Sequence, residues 1–422
     1  MTFKHFFALR FKNTLPSTSL TIAGAFTLLL ACIASPTVSH AAEIGVTENA
    51  IVVGGVLDLK GQSRGLGIGM KTGIEAAFKG QEIQGKRIQY VTLNDSYTPS
   101  ITEKSTRQLI DEGIFAMLGN VGTPTAKVSL PLLAEANVPA VGFFTGAGLL
   151  RPGKGNVVNY RASYIQEAAS VINQAISNGV KATEICAYVQ NDAYGMAGVQ
   201  GIKMALAKQP RTRKIIKALD QLLAKEGENP ERNNIGPVGV YQRNTLSSRA
   251  GYDSLKQWEQ QQNTECKLVV SVGTYNAIGR FAGYSRYKDN DWMISAVSFT
   301  GADNLKTVLS EFGVTDRIII TQVVPELDSS LAIVRHARRD LGDRFGYVSL
   351  EGYIVGKMFL HALGQIDGDI TRDKFLAVIQ GKQFKVDGLA LSFSRSNQGS
   401  DLVTMTYFSD NEFTQMAYSD WQ

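Results

Sequence analysis

Histidine and cysteine are scarce in this sequence. Its 422 residues include four histidines and three cysteines. His336 lies in an arginine-rich run and His361 in an apolar run, which is typical of helix positions without a catalytic role. The sequence also lacks the H-E-x-x-H and C-x-x-C spacings that bind metal ions. It therefore predicts no metal site, no catalytic residues and no enzyme activity.

No apolar run is long enough to cross a membrane as a helix, which takes about 20 residues. The longest run, Leu20–Ala34, follows basic residues and precedes a stretch of small residues that ends at Ala41. This order is typical of a secretory signal peptide. We predict that residues 1–41 are removed on export to the periplasm. Lipid attachment at Cys32 is the alternative.

Neither sign of charge is in large excess. Lysine and arginine number 43 against 38 acidic residues, for a net charge of +5. Nucleic-acid binders usually carry a strongly basic face. The expected partners therefore include no nucleic acid.

Short β-branched runs alternate with amphipathic helices along most of the chain. Residues 51–57 (IVVGGVL) are apolar throughout, which is typical of a strand in a parallel sheet, and apolar residues between 66 and 78 form one helix stripe. Similar units continue to residue 143 and recur over residues 165–321. The sequence predicts an α/β fold of two doubly wound, Rossmann-like lobes.

Residues 209–236 interrupt this alternation. They are rich in charge, contain few apolar residues and include Pro210 and Pro230. So long a stretch is unusual for a loop in a compact domain. We interpret it as a solvated surface insertion between a helix and the next strand.

Two cysteines follow the N-terminal segment, Cys186 and Cys266. They lie near the amino ends of the first and third strands of the second lobe, which are neighbours in the usual strand order. Parallel neighbours seldom have disulfide geometry. We expect two buried thiols, with a disulfide as the alternative in an oxidising compartment.

The glycines between residues 65 and 73 resemble part of a dinucleotide-binding fingerprint, and Asp95 lies where a ribose-binding acid would follow. In a true fingerprint the first glycine follows the strand directly, whereas Gly67 lies well beyond Leu57. A nicotinamide-dependent enzyme is thus the least favoured hypothesis, and no cofactor is predicted. We expect these glycines to let a loop approach a small ligand and to lead into the helix that follows.

Residues 119–125 (GNVGTPT) follow the third strand and begin a helix. A helix N-terminus favours carboxylates, and Thr123 and Thr125 add hydroxyl donors. A plain helix cap is the alternative. Residues 143–147 (FFTGA) end the next strand, and such strand ends converge on the ligand crevice of open α/β sheets. The two runs together favour a binding site.

The order of several such runs resembles the periplasmic solute-binding proteins of branched-chain amino acid ABC transporters, the type I class. The runs that carry the resemblance are LGNVGTPT (118–125), FFTGA (143–147), NYRASY (159–164), QNDAYG (190–195), VGTYNA (272–277), SFTGADN (298–304) and SLEGYIVGK (349–357). The resemblance implies two lobes that are joined by three crossovers and close on a small molecule. It assigns residues 43–160 plus 326–387 to lobe 1 and residues 161–325 plus 388–422 to lobe 2.

The resemblance also implies a ligand site between the lobes. Its residues would be Thr123, Thr125, Phe144, Thr145 and Gly146 from lobe 1, and Tyr194, Tyr275 and Thr300 from lobe 2. Arg64, in the first loop, is a further candidate for contact with an anionic ligand.

The implied function is that of an exported monomer that captures an amino acid, branched-chain-like, or a related small carboxylate for a membrane ABC permease. A ligand-sensing regulator of the same fold, similar to the amide sensors, is the alternative. Amino-acid binders of the family carry an acid at the position of Thr300. Either Asp192 or Asp303 therefore replaces that acid, or the ligand is not a free α-amino acid.

Overall fold

Parallel strands joined by helices build two separate sheets in the computed structural model, which describes residues 43–227 and 229–421. The predicted signal peptide, with Cys32, lies outside these residues. No helix in the described part of the chain is both long and apolar enough to span a membrane. The predicted α/β architecture of two doubly wound lobes is confirmed.

Sheet 1, the core of lobe 1, is built from the first third of the chain. Its strands are β1 (Ala50–Leu57), β2 (Glu82–Ile83), β3 (Lys86–Asn94), β4 (Ala116–Leu118), β5 (Ala140–Val141) and β6 (Val157–Val158). Their order is β2-β3-β1-β4-β5-β6, and only β2 is antiparallel to its neighbour. Because β1 lies between β3 and β4, its apolar run is buried almost throughout.

Sheet 2, the core of lobe 2, repeats the same parallel order. Its strands are β7 (Ile185–Gln190), β8 (Val238–Tyr241), β9 (Leu268–Val272), β10 (Met293–Ala296) and β11 (Ile318–Gln322), to which two C-terminal strands are added. Between β11 and those two, β12 (Gln383–Val386) and β13 (Leu389–Ser392) form a separate hairpin. The last strands, β14 (Thr404–Ser409) and β15 (Glu412–Gln415), extend sheet 2 in the order β15-β14-β11-β10-β9-β7-β8.

Twelve α-helices lie within the described residues. They are α1 (Arg64–Phe78), α2 (Pro99–Asp111), α3 (Thr123–Glu135), α4 (Tyr164–Ser177), α5 (Ala193–Leu206), α6 (Arg213–Leu223), α7 (Arg249–Gln262), α8 (Tyr275–Tyr287), α9 (Ala302–Glu311), α10 (Ala332–Leu341), α11 (Tyr347–Gly364) and α12 (Arg372–Ala377). Local chemistry fixes several starts. Ser163 and Gln166 form a capping box at the start of α4, and α2 begins at Pro99.

The chain passes between the sheets three times, after β6, after β11 and after β13. Helix α11 packs along α1, so the segment after β11 returns to lobe 1. Strand β13 pairs with β12, and the change to sheet 2 follows between Ser392 and Thr404. The residue-by-residue division of the lobes, including the boundary at 388, stays a prediction.

The glycines of residues 65–73 lie in helix α1, not in a loop at the ligand. A Cβ atom on Gly73 would stand 2.1 Å from the carbonyl oxygen of Ser349, and one on Gly352 would stand 2.4 Å from that of Met70. These positions let α1 and α11 pack backbone to backbone. The expectation that this series approaches a ligand is therefore wrong for Gly73, whose role is helix packing.

The insertion at 209–236 is less solvated than its composition suggested. Helix α6 buries Ile215, Leu219 and Leu222, a helical stripe that the surrounding charges obscured. Arg232 is also buried, and its guanidinium donates hydrogen bonds to the Leu222 carbonyl at 3.0 Å and to Asn191 Oδ1 at 2.9 Å. The expectation of a solvated insertion is therefore wrong for α6, because this stripe is buried.

Cys186 and Cys266 form a disulfide, with their Cα atoms 5.7 Å apart. The expectation of two free thiols is wrong, although β7 and β9 are neighbours as expected. In the ladder between β7 and β9, Cys186 is paired with Val269. Cys266 lies before β9, which begins at Leu268. Because Cys266 lies outside the ladder, strand alternation does not fix its side chain, which can turn toward Cys186.

Candidate ligand-binding cleft

Loops at the carboxyl ends of the strands of both sheets meet between the lobes. A chain of hydroxyl groups crosses there: the hydroxyls of Thr123 and Thr145 lie 2.7 Å apart, and Thr145 lies 3.2 Å from the hydroxyl of Tyr164. All three side chains are buried. The N-terminus of α3 and the loop after β5 thus contact the first helix of lobe 2.

Gly146 is required where that loop touches lobe 2. Its carbonyl accepts a hydrogen bond from the Tyr164 N–H at 2.8 Å. A Cβ atom at Gly146 would lie 2.7 Å from the Tyr164 ring. Any larger residue would push the two elements apart, so glycine sets the width of the cleft at this point.

Aromatic rings fill the space beside the hydroxyl chain. Phe299 lies at the centre, with ring centroids 5.2 Å from Phe144, 4.6 Å from Tyr194 and 6.3 Å from Tyr97. Phe144 and Tyr97 belong to lobe 1, and the other two rings to lobe 2. Rings at these separations offer a rigid apolar surface with hydroxyl groups at its edge.

Two further hydroxyls converge on one backbone carbonyl. Tyr194 and Thr300 donate hydrogen bonds to the carbonyl oxygen of Gly273 at 3.2 and 2.8 Å. Gly273 directly follows β9, so these bonds link the end of that strand to the start of α5 and to the turn before α9. Burial raises the pKa of Tyr194 far above its ordinary value, and the phenol stays a neutral donor.

The structure therefore brings six of the predicted site residues into one buried cluster, the cleft cluster: Thr123, Phe144, Thr145, Gly146, Tyr194 and Thr300. Thr125 is buried nearby, but its hydroxyl donates to the carbonyls of Val121 and Gly122 in its own turn. The alternative of a plain helix cap is wrong for Thr125, because Gly122 is the cap residue and no side chain caps the helix. Ligand binding by these residues stays a prediction.

Arg64 and Tyr275 lie elsewhere, at the rim of the cleft. The side chain of Arg64 is exposed, and it lines a cavity with Tyr275, Asn276 and Asn304. The Tyr275 hydroxyl donates to the Gln62 carbonyl at 3.0 Å. The rim and the cleft cluster are therefore separate groups of residues.

Neither acid that could replace the missing one turns into the cleft cluster. Asp192 caps its own helix by accepting the Tyr194 N–H at 2.9 Å, and its other oxygen lies 3.0 Å from Arg243. Asp303 accepts the N–H of Tyr347 at 2.9 Å. Burial raises the pKa of both carboxyls, although these partners oppose the effect. Both carboxylates thus accept hydrogen bonds from backbone N–H groups of the protein.

A buried cation beside the cleft was missed by the sequence analysis. Arg161 lies in the first crossover, with its guanidinium 4.7 Å above the Phe144 ring. Its Nη2 atom donates a hydrogen bond to Ser298 and lies 3.6 Å from Glu167, and its Nη1 atom lies 3.7 Å from Glu351. We call Arg161, Glu167 and Glu351 the hinge triad.

The hinge triad joins both lobes at the crossover. Glu351 lies on α11 of lobe 1, whereas Glu167 lies on α4 of lobe 2 and accepts the Ser298 N–H at 2.7 Å. Burial raises the pKa of Glu351 to about 7, while Arg161 lowers it and Glu167 raises it. Arg161 lies within the run 159–164, but its partners are too distant in sequence for spacing to reveal them.

One run has the spacing of a hydrolase turn, G-x-S-x-G, at residues 61–65 (GQSRG). The histidines that could serve as its base have other partners. His336 Nδ1 lies 3.0 Å from Asp387, and His361 stacks on Phe384 with centroids 4.7 Å apart. Among the described residues, no group of three or more His, Cys, Asp or Glu is arranged to hold a metal ion. These contacts give no support to catalysis.

Similar proteins point to one family. A family model described as periplasmic binding protein matches residues 50–211. A possible leucine/isoleucine/valine-binding protein from Rhodopirellula baltica SH 1 is 31% identical, covers 90% of this chain and 99% of its own, and has a TM-score of 0.76. No curated protein matches the chain.

More distant structures share the fold. A solute-binding protein from R. palustris in complex with 4-hydroxybenzoate is 14% identical, with a TM-score of 0.67 over 87% of this chain and 96% of its own. A branched-chain amino acid ABC transporter protein from Thermus thermophilus with bound valine is 13% identical, with a TM-score of 0.69 over 88% and 96%. These two structures contain different kinds of ligand. The ligand class of this protein therefore has to be inferred from its own residues.

Two α/β lobes that meet over a buried cluster of hydroxyls and rings have the architecture of a solute-binding protein. The identity to the Rhodopirellula protein extends over nearly the whole of both chains. The chain therefore belongs to the type I periplasmic binding proteins of ABC transporters, the family of the leucine/isoleucine/valine-binding proteins.

Proposed function

We propose that this protein binds a small carboxylate without a free α-ammonium group, outside the cytoplasm, and delivers it to an ABC permease. Export by the predicted signal peptide is part of the proposal. The observation that carries it is the engagement of Asp192 and Asp303 by other groups. The family resemblance implies that Thr300 takes the position of the acid in relatives that bind amino acids. A ligand ammonium would lack a carboxylate partner at this position.

The energetic argument rests on desolvation. An ammonium group that enters a closed cleft loses its water, and without a carboxylate it does not regain a charge-assisted hydrogen bond. Thr300 offers only a neutral hydroxyl oxygen in compensation, because its proton is donated to the Gly273 carbonyl and the side chain carries no charge. Glu167 is an acid near the cleft, but its Oε2 atom accepts the Ser298 N–H, and its Oε1 atom lies 3.6 Å from Arg161, whose charge balances it. The cost to an amino acid is several kcal/mol.

Other features of the cleft suit a carboxylate. Helix α3 begins at Thr123 and directs its positive end toward the cleft cluster, where hydroxyls of Thr123 and Thr145 lie side by side. Phe144, Phe299 and Tyr194, which pack against one another here, would offer apolar surface to the rest of the ligand once it separates them. This combination supports branched or aromatic acids over strongly polar ones.

A thermal-shift panel tests the proposal. It compares leucine, valine and phenylalanine with 4-methylpentanoate, 3-phenylpropanoate and 4-hydroxybenzoate, and includes acetamide for the amide-sensor alternative. A compound at 100 times its dissociation constant adds about 2.7 kcal/mol to the free energy of unfolding. We expect at least one amine-free carboxylate to raise the melting temperature while the amino acids do not.

Matched variants locate the effect. Thr145→Val keeps the shape of the side chain but removes its hydroxyl, and we expect it to reduce the shift caused by the active carboxylate. Tyr287→Phe alters an exposed ring, and we expect no change. A panel in which only amino acids stabilise the protein would show the proposal to be wrong.

A further inference from the structure

The rim of the cleft contains a contact between the lobes that involves none of the cleft cluster. The Tyr275 hydroxyl donates to the Gln62 carbonyl at 3.0 Å and accepts the Gly65 N–H at 3.3 Å. The next residue, Asn276, donates from its side-chain amide to the same Gln62 carbonyl at 2.7 Å. Tyr275 and Asn276 begin helix α8 of lobe 2, whereas Gln62 and Gly65 belong to lobe 1.

The lobe 1 side of this contact is held in shape by its own hydrogen bonds. The buried carboxylate of Asp58 accepts the N–H groups of Gly61 at 2.6 Å and of Ser63 at 3.0 Å. The Leu59 N–H is bonded to Asn94 Oδ1 at 2.9 Å. The loop is thus fixed on both sides of Gln62, so the Gln62 carbonyl is presented without a large ordering cost.

A second contact crosses the rim close by. Asp303, in the first turn of α9 in lobe 2, accepts the N–H of Tyr347 at the start of α11 in lobe 1, at 2.9 Å. The start of this long helix carries a partial positive charge, which favours a carboxylate. Asp303 and Tyr275 line the same cavity as Gly346 and Gln62. Lobe 2 therefore contacts lobe 1 at two neighbouring points.

We propose that Tyr275 and Asn276 close on Gln62 and Gly65 as a clasp, which stabilises the closed form and slows release without touching the bound molecule. They are positioning residues, and this assignment replaces the predicted ligand contact of Tyr275. Each clasp bond exists only when the lobes are together, so its free energy shifts the balance between the open and closed forms. The proposal does not depend on the ligand class, and its failure would leave the proposed function intact.

The test measures closure directly in the ligand-free full chain. Gln62→Cys and Asn304→Cys place one thiol on each lobe beside the clasp, because Gln62 contributes only its backbone and Asn304 contacts Gly65. Cys32→Ser removes the remaining cysteine, since Cys186 and Cys266 are bridged. A short bismaleimide then joins the thiols at a rate proportional to the closed fraction.

Tyr275→Phe keeps the ring but removes both hydrogen bonds of the hydroxyl. We expect cross-linking to slow about tenfold, the effect of losing two ordinary hydrogen bonds from the closed form alone. Asn276→Ala is the second variant and is expected to slow it several-fold for the same reason. Tyr287→Phe, on an exposed tyrosine of the same helix, should leave the rate unchanged.

A second measurement distinguishes loss of the clasp from loss of overall stability. The melting temperature should change little in Tyr275→Phe, because both lobes keep their cores. Slower cross-linking with an unchanged melting temperature supports the clasp. Cross-linking at the unaltered rate in both Tyr275→Phe and Asn276→Ala would overturn it.

Discussion

Replacing Arg161 with methionine is expected to lower the free energy of unfolding by about 3–5 kcal/mol at pH 8. The guanidinium is buried between Glu167 and Glu351, at 3.6 and 3.7 Å. Methionine fills much of the space but supplies no charge, so two buried carboxyl groups lose their cation. Removing one partner of a buried ion pair lowers the free energy of unfolding by more than the intact pair adds to it, because the remaining charges stay desolvated.

The effect of Arg161→Met depends on pH with a definite sign. In the folded protein burial raises the pKa of Glu351 from its ordinary 4.5 to about 7, so the folded form binds this proton more tightly. Glu351 therefore lowers stability as pH rises from about 4.5 through about 7. Arg161 lowers this pKa, and its removal increases the penalty at high pH. The loss should be smaller at pH 5 than at pH 8.

The measurement is denaturant unfolding at both pH values. The control combines Arg161→Met with Glu167→Gln and Glu351→Gln, which removes all three charges and should recover most of the stability. Equal losses at pH 5 and pH 8, or no recovery in the triple variant, would contradict a coupled hinge triad.

Removing the disulfide is the second large effect that we expect. Cys186 and Cys266 are separated by 80 residues, so their bridge restricts a long segment of the unfolded chain. The double change to alanine, which buries no new polar group, should lower the free energy of unfolding by about 2–4 kcal/mol. Guanidinium unfolding of the two proteins measures the difference.

Reducing agent provides the control for this prediction. It should destabilise the parent protein but leave the double alanine variant unchanged. Thiol titration of the denatured, unreduced protein should find Cys186 and Cys266 unreactive. Two reactive thiols from this pair would restore the expectation drawn from strand pairing alone.

Most of the fold could be predicted because each βα unit carries its own local pattern. The buried run of β1 and the stripe of α1 are visible within single windows of sequence, and the usual strand order follows from their alternation. The hidden stripe of α6 shows the limit of this approach. A few apolar residues among many charged ones are enough to bury one face of a helix when they are spaced three or four residues apart.

The cleft was predictable only in part, because partners in it are distant in sequence. The threonines and glycines at strand ends could be found, since strand ends converge in this type of sheet. The role of Arg161 in the hinge triad could not be predicted. Its partner Glu351 lies far along the chain on α11, in the segment that returns to lobe 1 after β11. The contact that the Tyr275 side chain makes likewise depends on a loop of the opposite lobe.

The glycine series near Gly73 shows a different source of error. Glycine allows both loop flexibility and close helix packing, and the sequence alone favours neither. Only the position of α11 against α1 decides between them, through the contact with Ser349. Such tertiary contacts are fixed by the return of the chain to lobe 1.

Calorimetric titration of one matched pair of compounds tests the central claim most directly. Leucine and 4-methylpentanoate share a carbon skeleton and a carboxylate, and differ only in the ammonium group. On the proposal that Thr300 takes the position of the acid that would meet that group, we expect 4-methylpentanoate to bind at least about tenfold more tightly. Tighter binding of leucine would contradict the claim that this cleft selects carboxylates without an α-ammonium group.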